Sequence, residues 1–437
     1  MRIERVDAQR FASLGGPSAT AAHLRARVAG GASVAGAVRE IVRSVRDEGD
    51  AAVVRHTRAF DTQGAESRPL LVTAEELDEA ITSLPLELVA GLQVAIANVA
   101  LVAEAGVAHD RLVELPQGHS VLLREVPVGS AAVYVPGGRA PYPSTVVMGV
   151  VTARAAGVVD VAVCSPPGPD GQIDPVILGT CRLCGVERVY RMGGAQAIAA
   201  LAYGTDTVER VDVIVGPGNL YVQEAKHQLS SLVGIDGFAG PSDLLIVLGA
   251  DAGEREIHLA ALDMLAQGEH GEGSLVVAVS TSAAVCETLA RALDELVVER
   301  PTVGEAAFAI VEVADGPRAA IALANAFAPE HLQLIGAEIE TLAPIVRAAG
   351  CVFVGAESAT AFGDYVAGSN HVLPTAGAAR FASTLSARHF RRTMSEVKIG
   401  SQAVVKLAAA GAPVADAEGF DVHAESMRAR VRENQEP

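Results

Sequence analysis

Between Gly129 and Leu229 the sequence alternates short apolar runs with segments of helical length, and this alternation limits the possible folds more than any other feature. The apolar runs are G-S-A-A-V-Y-V, V-D-V-A-V-C, V-E-R-V-Y-R-M and V-D-V-I-V. Parallel strands need a crossover connection, usually a helix, and strands covered on both faces are continuously apolar. The pattern therefore predicts a doubly wound α/β unit.

The same alternation returns after Gly240, in the runs D-L-L-I-V-L, S-L-V-V-A-V-S, A-F-A-I-V-E-V, L-Q-L-I and C-V-F-V-G. The first 115 residues and the last sixty have helical patterns instead. We therefore predict an α/β protein with two Rossmann-like, doubly wound parallel-sheet domains and helical N-terminal and C-terminal segments. The expected divisions are an N-terminal arm at 1–22, a discontinuous domain at 23–125 with 240–376, a domain at 126–239 and a C-terminal segment at 377–437.

Composition and charge exclude several classes of function. The chain of 437 residues has a net charge of −18 and no tryptophan, which disfavours nucleic acid and anionic membranes as partners. The start of the chain has no apolar core typical of a signal peptide, and the apolar stretch at 146–164 is interrupted by Arg154 and Asp160, so no membrane-spanning helix is expected. Five scattered cysteines fit reduced thiols in the cytoplasm, and Cys181 and Cys184 are expected to be small buried residues.

The end of one amphipathic segment, L-A-Q-G-E-H-G, carries polar side chains at helical spacing. Asp263, Gln267 and His270 follow an i, i+4, i+7 pattern, so they would share one face of a helix. A glutamine and a histidine on one face can direct two lone pairs at a single cation. A solvated polar face is the alternative explanation, and the spacing alone does not decide between them.

Two further segments combine acidic residues with histidine. In A-P-E-H-L, Pro329 can start a helical turn from which Glu330 and His331 emerge as two bases of different pKa, although a helix-dipole glutamate beside an incidental histidine would look the same. Asp364 and His371 follow the strand C-V-F-V-G in a loop rich in small residues. Ligands bind at the carboxyl ends of strands in open α/β sheets, so this loop is a candidate site.

Other signals are weaker by themselves. Glu418 and His423 lie in A-E-G-F-D-V-H-A-E-S-M-R, which reads by default as a solvated helix of mixed charge. Glycine turns occur at Gly137-Gly138, Gly193-Gly194 and Gly216-Pro217-Gly218, each between a strand and a helix. Such turns can bind a pyrophosphate through backbone N–H groups, but generic βα turns have the same composition and no G-x-G-x-x-G is present.

Taken together, these segments resemble the histidinol dehydrogenase family over nearly the whole chain. The matching blocks are Y-V-P-G-G-R-A-P-Y-P-S-T-V-V-M, Y-R-M-G-G-A-Q-A-I-A-A-L-A-Y-G-T, V-G-P-G-N, F-A-G-P-S-D, Q-G-E-H-G, A-P-E-H-L, G-D-Y-V-A-G-S-N-H-V-L-P-T and E-G-F-D-V-H-A. Many ordered blocks at the family's spacing make the resemblance specific.

The resemblance implies a role for each matched position. It makes Glu330 and His331 the catalytic pair. It implies that one zinc ion per subunit is held by Gln267, His270, Asp364 and His423. It implies that NAD is held by Tyr134, Gln196 and Asn219. The implied contacts to the substrate are Ser242, Gln267, His270, His331, Asp364, His371, Glu418 and His423.

The resemblance also implies the reaction and the assembly. The family performs the NAD-linked, four-electron oxidation of L-histidinol to L-histidine through L-histidinaldehyde, at the end of histidine biosynthesis in the cytoplasm. It forms a domain-swapped homodimer in which the C-terminal segment completes the partner's site, so Glu418 and His423 would act across the interface. A paralogous zinc- and NAD-dependent dehydrogenase of another small polar alcohol, or a non-catalytic nucleotide-binding protein on the same fold, are the alternatives.

Two positions depart from the family's pattern. The family commonly has alanine where Gly268 stands and glutamate where Asp243 stands. Neither position supplies an implied ligand or base. We expect Gly268 to loosen the end of its helix and so to weaken metal binding.

Overall fold

The computed structural model describes residues 3–28, 33–63, 68–137, 140–237, 240–271, 273–303 and 305–431. The chain divides into two compact units. The first contains the residues up to Gly106 together with Gly129–Phe390, and the second contains Val107–Val128 and the residues from Arg391 onwards.

The strands are β1 (Ile3–Val6), β2 (Arg111–Glu114), β3 (Ser120–Pro127), β4 (Ser130–Tyr134), β5 (Asp160–Ser165), β6 (Arg188–Arg191), β7 (Val213–Val215), β8 (Gly234–Ile235), β9 (Asp243–Leu248), β10 (Leu275–Ser280), β11 (Ala307–Glu312), β12 (His331–Ile335), β13 (Cys351–Val354) and β14 (Arg391–Lys398). Every apolar run that the sequence marks as a strand after Gly129 forms one.

The α-helices are α1 (Ala8–Leu14), α2 (Pro17–Arg25), α3 (Ala35–Glu48), α4 (Asp50–Phe60), α5 (Ala74–Ser83), α6 (Leu86–Ala105), α7 (Pro143–Ala155), α8 (Pro175–Leu183), α9 (Gly194–Tyr203), α10 (Leu220–Leu229), α11 (Glu254–Gly268), α12 (Ala283–Leu296), α13 (Pro317–Phe327), α14 (Ala337–Glu340), α15 (Thr360–Tyr365), α16 (Ser401–Ala417) and α17 (Asp421–Arg428). Short 3₁₀ turns lie at Val297–Glu299, Pro301–Val303, Ala343–Ile345, Ala378–Arg380 and Ala387–Phe390.

The first unit contains two parallel sheets with the same internal order. One has the order β6-β5-β4-β7-β8, and the other has the order β1-β11-β10-β9-β12-β13. Numbered from β4 in the first sheet and from β9 in the second, both sheets have the order 3-2-1-4-5, with β1 added at one edge of the second. Strand order therefore reverses between β4 and β7 and between β9 and β12, as in doubly wound folds. The predicted α/β class is confirmed.

The six-stranded sheet is covered by helices on both faces, which explains its continuously apolar strands. In β9, Leu245 and Val247 pack into a core with α13 and α2, whereas Leu244, Ile246 and Leu248 pack into a core with α11 and α12. Successive side chains of a strand point to opposite faces, so a strand buried on both faces must be apolar at every position.

The second unit is built differently from the first. Its three-stranded sheet has the order β14-β3-β2 and is antiparallel. Its helices α16 and α17 pack together through a small core that contains Ala412, Ala415 and Ala424.

Three strands correct the prediction that both ends of the chain are helical. β1 pairs with β11 at the edge of the six-stranded sheet, and β2 and β14 flank β3. β1 and β2 are four residues long, and most residues of β14 are exposed. Strands that are short or mostly exposed do not have the continuous apolar sequence that identifies buried strands.

Local helix signals agree with the structure where they are strong. Thr73 and Glu76 form the predicted capping box, with the Thr73 N–H donating to the Glu76 carboxylate at 2.9 Å and the Glu76 N–H donating to the Thr73 hydroxyl at 3.3 Å. Helix α3 ends before Gly49, as its sequence predicts. Cys181 and Cys184 are buried, also as predicted.

Helix α6 leaves an apolar face open on the first unit. In the part of the chain that the structure describes, it is the helix whose length and composition would suffice to cross a membrane, with a mean hydropathy of 1.9. Leu86, Val94, Leu101 and Val102 are exposed on it. Length and composition are weak grounds for a membrane span, since helices at protein interfaces share them.

Candidate active site

The predicted catalytic pair lies where β9 and β12 begin. These neighbouring strands are parallel, with His331 opposite Leu244. Asp243 is the first residue of β9 and Ser242 precedes it, while Glu330 directly precedes β12. Glu330 therefore lies beside Ser242 and Asp243. The amino ends of two central strands thus bring residues 242–243 and 330–331 together.

Glu330 is buried and firmly held. The Ser242 hydroxyl donates to Glu330 Oε2 at 2.5 Å, and the Asp243 N–H donates to the same oxygen at 2.9 Å. Burial raises the pKa of Glu330 to about 7, and the neighbouring Asp243 adds to the rise while His331 opposes it. A carboxyl group with a pKa near neutrality can exchange a proton at the pH of the cell.

His331 is the first residue of β12 and does not emerge from a helical turn. The expectation of a helix started by Pro329 is therefore wrong, because the buried segment H-L-Q-L-I pairs with β9 on one side and β13 on the other. His331 Nε2 lies 3.3 Å from Asp364 Oδ1, and its Nδ1 lies 3.9 Å from Glu330 Oε2. Burial would lower the pKa of His331, but the carboxylates of Asp364 and Glu330 outweigh burial and raise it to about 9.

Asp364 lies on α15, the helix that follows β13, and its carboxylate contacts His331. The chain leaves β13 at the carboxyl edge of the sheet, and α15 leads to Asp364 beside the start of β12. The site on this sheet is therefore at the amino edge, and the expectation of a site at the carboxyl ends of the strands is wrong here. Although burial alone would raise it, the pKa of Asp364 is lowered, chiefly by His331.

Helix α11 presents Gln267 to the same place. The Gln267 amide Nε2 donates to the Ser242 hydroxyl at 2.5 Å, so Gln267, Ser242 and Glu330 form a continuous chain of hydrogen bonds. Asp263 and Gln267 are both buried, and Asp263 accepts a hydrogen bond from Gln333 Nε2 at 2.8 Å. The alternative of a solvated polar face is therefore wrong for these two residues.

His270 lies in the turn after α11 and not on the helix, because α11 ends at Gly268. Its side chain is exposed, yet it is close enough to Asp364 for the two groups to influence each other's pKa. The position of His270 is therefore set by the turn after α11, and the predicted i+7 helical spacing from Asp263 does not apply to it.

The donor set of the first unit suits zinc by its chemistry. Among the residues that the structure describes, no three His, Cys, Asp or Glu side chains lie together as a ready metal site. An amide oxygen from Gln267, an imidazole nitrogen from His270 and a carboxylate from Asp364 are nevertheless ligand types that zinc accepts. Gln267 is linked to Glu330 through Ser242, and Asp364 contacts His331.

His371 is part of the same cluster. Its Nδ1 lies 2.9 Å from the backbone carbonyl of Asp364, and its Nε2 lies 3.3 Å from the Thr145 hydroxyl of α7. The neighbouring Asn370 donates from Nδ2 to the Met148 carbonyl of the same helix at 3.0 Å. The loop that carries His371 is therefore fixed on α7.

Glu418 and His423 lie in the second unit. Glu418 is the C-cap residue directly after α16, His423 lies on α17, and both residues are exposed. The His423 ring contacts the ring of Phe420 at a centroid distance of 5.3 Å. Glu418 and His423 therefore belong to the second unit. The other predicted site residues of this group belong to the first unit, which brings together Ser242, Gln267, Glu330, His331, Asp364 and His371, with His270 nearby.

The predicted NAD residues lie at the carboxyl edge of the five-stranded sheet, where strand order reverses between β4 and β7. Tyr134 ends β4, and its hydroxyl accepts a hydrogen bond from the Gly194 N–H at 3.1 Å. Gln196 is buried on α9, with its Nε2 3.5 Å from Asp61 Oδ2. Burial raises the pKa of Asp61 to about 7. A crevice at such a reversal is the usual place for a dinucleotide.

The turn before α10 needs glycine at position 216 because of its backbone conformation and its close approach to β4. Gly216 has φ of +116°, and a Cβ there would lie 2.1 Å from the Tyr134 carbonyl oxygen, so only glycine fits. Asn219 caps α10 by accepting hydrogen bonds from the Tyr221 and Val222 N–H groups at 3.0 and 3.2 Å. Gly138, from the first of the predicted glycine turns, lies outside the described residues.

Four residues that contact the site residues were not predicted from the sequence as parts of the site. They are Arg25, Asp61, Thr145 and Asp243. A charged residue at the start of the otherwise apolar strand D-L-L-I-V-L was a usable signal for Asp243. The other three belong to ordinary helical patterns and gave none.

Comparisons with known proteins cover most of the chain. A histidinol dehydrogenase family model matches residues 25–431. The chain belongs to the histidinol dehydrogenase family. A histidinol dehydrogenase from Synechococcus sp. is 41% identical over 398 residues, or 90% of this chain and 91% of that protein. One from Gluconobacter oxydans is 39% identical over 417 residues, covering 94% and 96% of the two chains.

A solved structure agrees with the fold as well. The crystal structure of histidinol dehydrogenase from Elizabethkingia anophelis has a TM-score of 0.89 to this chain at 29% identity, and the match covers 98% of each chain. The membership makes this chain an oxidoreductase of the histidinol dehydrogenase family.

Gly268, where the family commonly has alanine, is closely packed. A Cβ at Gly268 would lie 2.7 Å from Val303 Cγ1 and 3.0 Å from Phe308 Cζ. The side chains of Val303 and Phe308 therefore occupy the space that an alanine methyl group would need at position 268.

We expect Gly268→Ala to lower the free energy of unfolding. Overpacking costs about 1–3 kcal/mol, which exceeds the gain of about 1 kcal/mol from placing alanine in a helix. Adding Val303→Ala should make room for the new methyl group, so the two changes should be non-additive in urea unfolding. Additive changes in the free energy of unfolding, or a Gly268→Ala variant more stable than the wild type, would show that the contact with Val303 does not disfavour alanine at position 268.

Proposed function

We propose that this chain oxidises L-histidinol to L-histidine in two NAD-linked steps through L-histidinaldehyde. The observation that carries the proposal is the hydrogen-bonded series Gln267, Ser242 and Glu330 beside the pair of His331 and Asp364. It joins residues matched to metal binding, substrate binding and catalysis in one buried place. A non-catalytic protein would have no need of a buried glutamate and histidine held in this way.

In the first step, His331 accepts the proton of the substrate hydroxyl as the alcohol becomes an aldehyde. Asp364 Oδ1 lies 3.3 Å from His331 Nε2, and this carboxylate stabilises the imidazolium that results.

In the second step, Glu330 accepts a proton from water, and the water adds to the aldehyde. The hydroxyl of Ser242 and the N–H of Asp243 hold Oε2 of Glu330, so its other oxygen is the one assigned to the water. His331 then acts again as the base in the second oxidation. Retaining the aldehyde between the steps keeps it from side reactions.

Zinc and NAD would supply the remaining chemistry. Gln267, His270, Asp364 and the partner's His423 would hold zinc, which as a Lewis acid orients the imidazole and amine of the substrate. Tyr134, Gln196 and Asn219 would hold NAD, which is the hydride acceptor. The rigid turn at Gly216 and the cap at Asn219 support a fixed position for the dinucleotide beside α10.

We further propose a homodimer whose C-terminal segment completes the site of the other subunit. Glu418 and His423 are exposed on the second unit and are available to a second chain. The exposed apolar residues of α6, with Phe362 and Tyr365 next to Asp364, support burial against a second copy. The net charge of −18 disfavours nucleic acid and anionic membranes as partners, and the five free cysteines fit an enzyme of the reducing cytoplasm.

Activity is expected to rise with pH through neutrality. Glu330 works as a base only after losing a proton, and burial raises its pKa to about 7. The rate should therefore fall as pH drops below about 7. Initial rates of NADH formation at saturating substrate would measure this profile, and a rate that is constant from pH 6 to 9 would contradict it.

The proposal is tested by NADH absorbance after addition of L-histidinol, with and without a chelator, against a panel of other small amino alcohols. We expect turnover with histidinol that is lost on chelation and restored by zinc. Faster turnover of another amino alcohol would favour the paralogous dehydrogenase, and no NADH with any substrate would favour a non-catalytic protein.

A further inference from the structure

Asp243 holds Glu330 at two points. The Asp243 N–H donates to Glu330 Oε2 at 2.9 Å, and the Glu330 N–H donates in return to Asp243 Oδ1 at 2.7 Å. Asp243 is fully buried. The carboxylate and the backbone of Glu330 are therefore both fixed by a residue that is itself fixed at the start of β9.

Arg25, the last residue of α2, holds Asp243 and the segment before Glu330. Its Nη1 donates to Asp243 Oδ2 at 3.1 Å. Its Nε and Nη2 donate to the Phe327 carbonyl at 3.0 and 2.6 Å, and Nη2 also donates to the Ala328 carbonyl at 3.2 Å. The guanidinium lies over the Phe327 ring, 4.0 Å from its centroid. One arginine thus joins the end of α13 to Asp243.

The same pair holds two strained residues. Ala328 has φ of +50° and Ala376 has φ of +54°, a left-handed backbone conformation that is strained for a residue with a side chain. Arg25 binds the carbonyl of Ala328, and Asp243 Oδ2 accepts a hydrogen bond from the Ala376 N–H at 3.2 Å. Local strain of this kind persists where surrounding contacts fix it, and it is concentrated at functional sites.

We propose that Arg25 and Asp243 form a positioning pair that fixes the Glu330 carboxylate for attack of water on the bound aldehyde. Neither residue contacts the reacting atoms, so each acts through Glu330. The proposal rests on the function proposed above, because it assigns Glu330 to the second step. Arg25 also offsets the charge that Asp243 would otherwise place beside Glu330.

The test is a double-mutant cycle with histidinaldehyde as substrate. Asp243→Asn and Arg25→Met are each made in the wild-type and in the Glu330→Gln background, and NADH formation is measured. In the wild-type background we expect kcat to fall by about 10–10²-fold with KM little changed, since a displaced base loses rate and not substrate binding. In the Glu330→Gln background we expect less than a twofold further loss. Equal losses in both backgrounds, or no loss in the wild type, would overturn the proposal.

Arg27→Met is the matched control. Arg27 lies just after α2 and binds Glu4 at 3.1 Å and the Phe308 carbonyl at 2.6 Å, so its loss removes a similar partly buried arginine without touching Asp243. It should lower Tm and leave kcat within twofold. Arg25→Lys keeps the charge and serves where Arg25→Met does not fold, with an intermediate loss of kcat expected.

Hydrogen exchange gives a readout that needs no substrate. Amides of peptides spanning 327–331 should exchange about tenfold faster in Asp243→Asn and Arg25→Met than in the wild type, while peptides from α16 stay unchanged. If the wild-type protein does not oxidise histidinol, the proposed function fails while this measurement still tests the positioning. Unchanged exchange at 327–331 would overturn the positioning pair.

Discussion

Replacing Glu330 by glutamine is expected to stop histidine formation while the first oxidation continues. Glutamine has the size of glutamate, and its amide oxygen can still accept the hydrogen bonds of Ser242 and the Asp243 N–H. It cannot accept a proton from water, so hydration of the aldehyde loses its base. General-base catalysis contributes about 10²–10⁴-fold, and we expect the rate from histidinaldehyde to fall by that factor.

The measurement is NADH formation from histidinaldehyde, together with a product analysis that follows histidinol, histidinaldehyde and histidine over time. Glu338→Gln, an exposed residue at the start of the next helix, is the control and should keep the wild-type rate. Histidine formed by Glu330→Gln within threefold of the wild-type rate would exclude Glu330 as the base.

Replacing His331 by asparagine is expected to stop both oxidations. Asparagine keeps a polar group near the position of Nδ1 and has no basic nitrogen, so neither the alcohol nor the hydrated aldehyde can lose its proton to it. The overall rate from histidinol should fall by at least about 10³-fold, because the same base serves two steps in succession. No aldehyde should accumulate, in contrast to Glu330→Gln.

The comparison of the two variants separates their functions. His258→Asn, an exposed histidine on α11, is the control for loss of an imidazole and should be fully active. Circular dichroism and Tm would verify that His331→Asn folds, since His331 is buried beside Asp364. Formation of NADH from histidinol by His331→Asn at the wild-type rate would show that another group removes the hydroxyl proton.

The buried sheets could be predicted from the sequence, and the exposed strands could not. Every strand of the two parallel sheets that is continuously apolar, such as β9 with D-L-L-I-V-L, is visible because burial on both faces requires it. The strands β1 and β14 carry charged residues and form through backbone pairing at an edge or in a small antiparallel sheet. Their local sequence does not distinguish them from a helix.

The candidate site was predictable as a set of residues but not as a geometry. The resemblance of ordered motifs supplied Gln267, Glu330, His331 and Asp364, and the structure brings them together. The site's position at the amino edge of β9 and β12 depends on where α11 and α15 end, which no periodicity gives. Asp243 and its partner Arg25 are 218 positions apart, so only the folded chain reveals the pair.

The most direct test of the account is the ratio of NADH formed to L-histidinol consumed at completion by the purified protein with zinc. We expect two NADH for each histidinol, with L-histidine as the only product, because one acid and one imidazole serve two oxidations without releasing the aldehyde. A ratio of one with histidinaldehyde as the product, or no NADH at all, would contradict it.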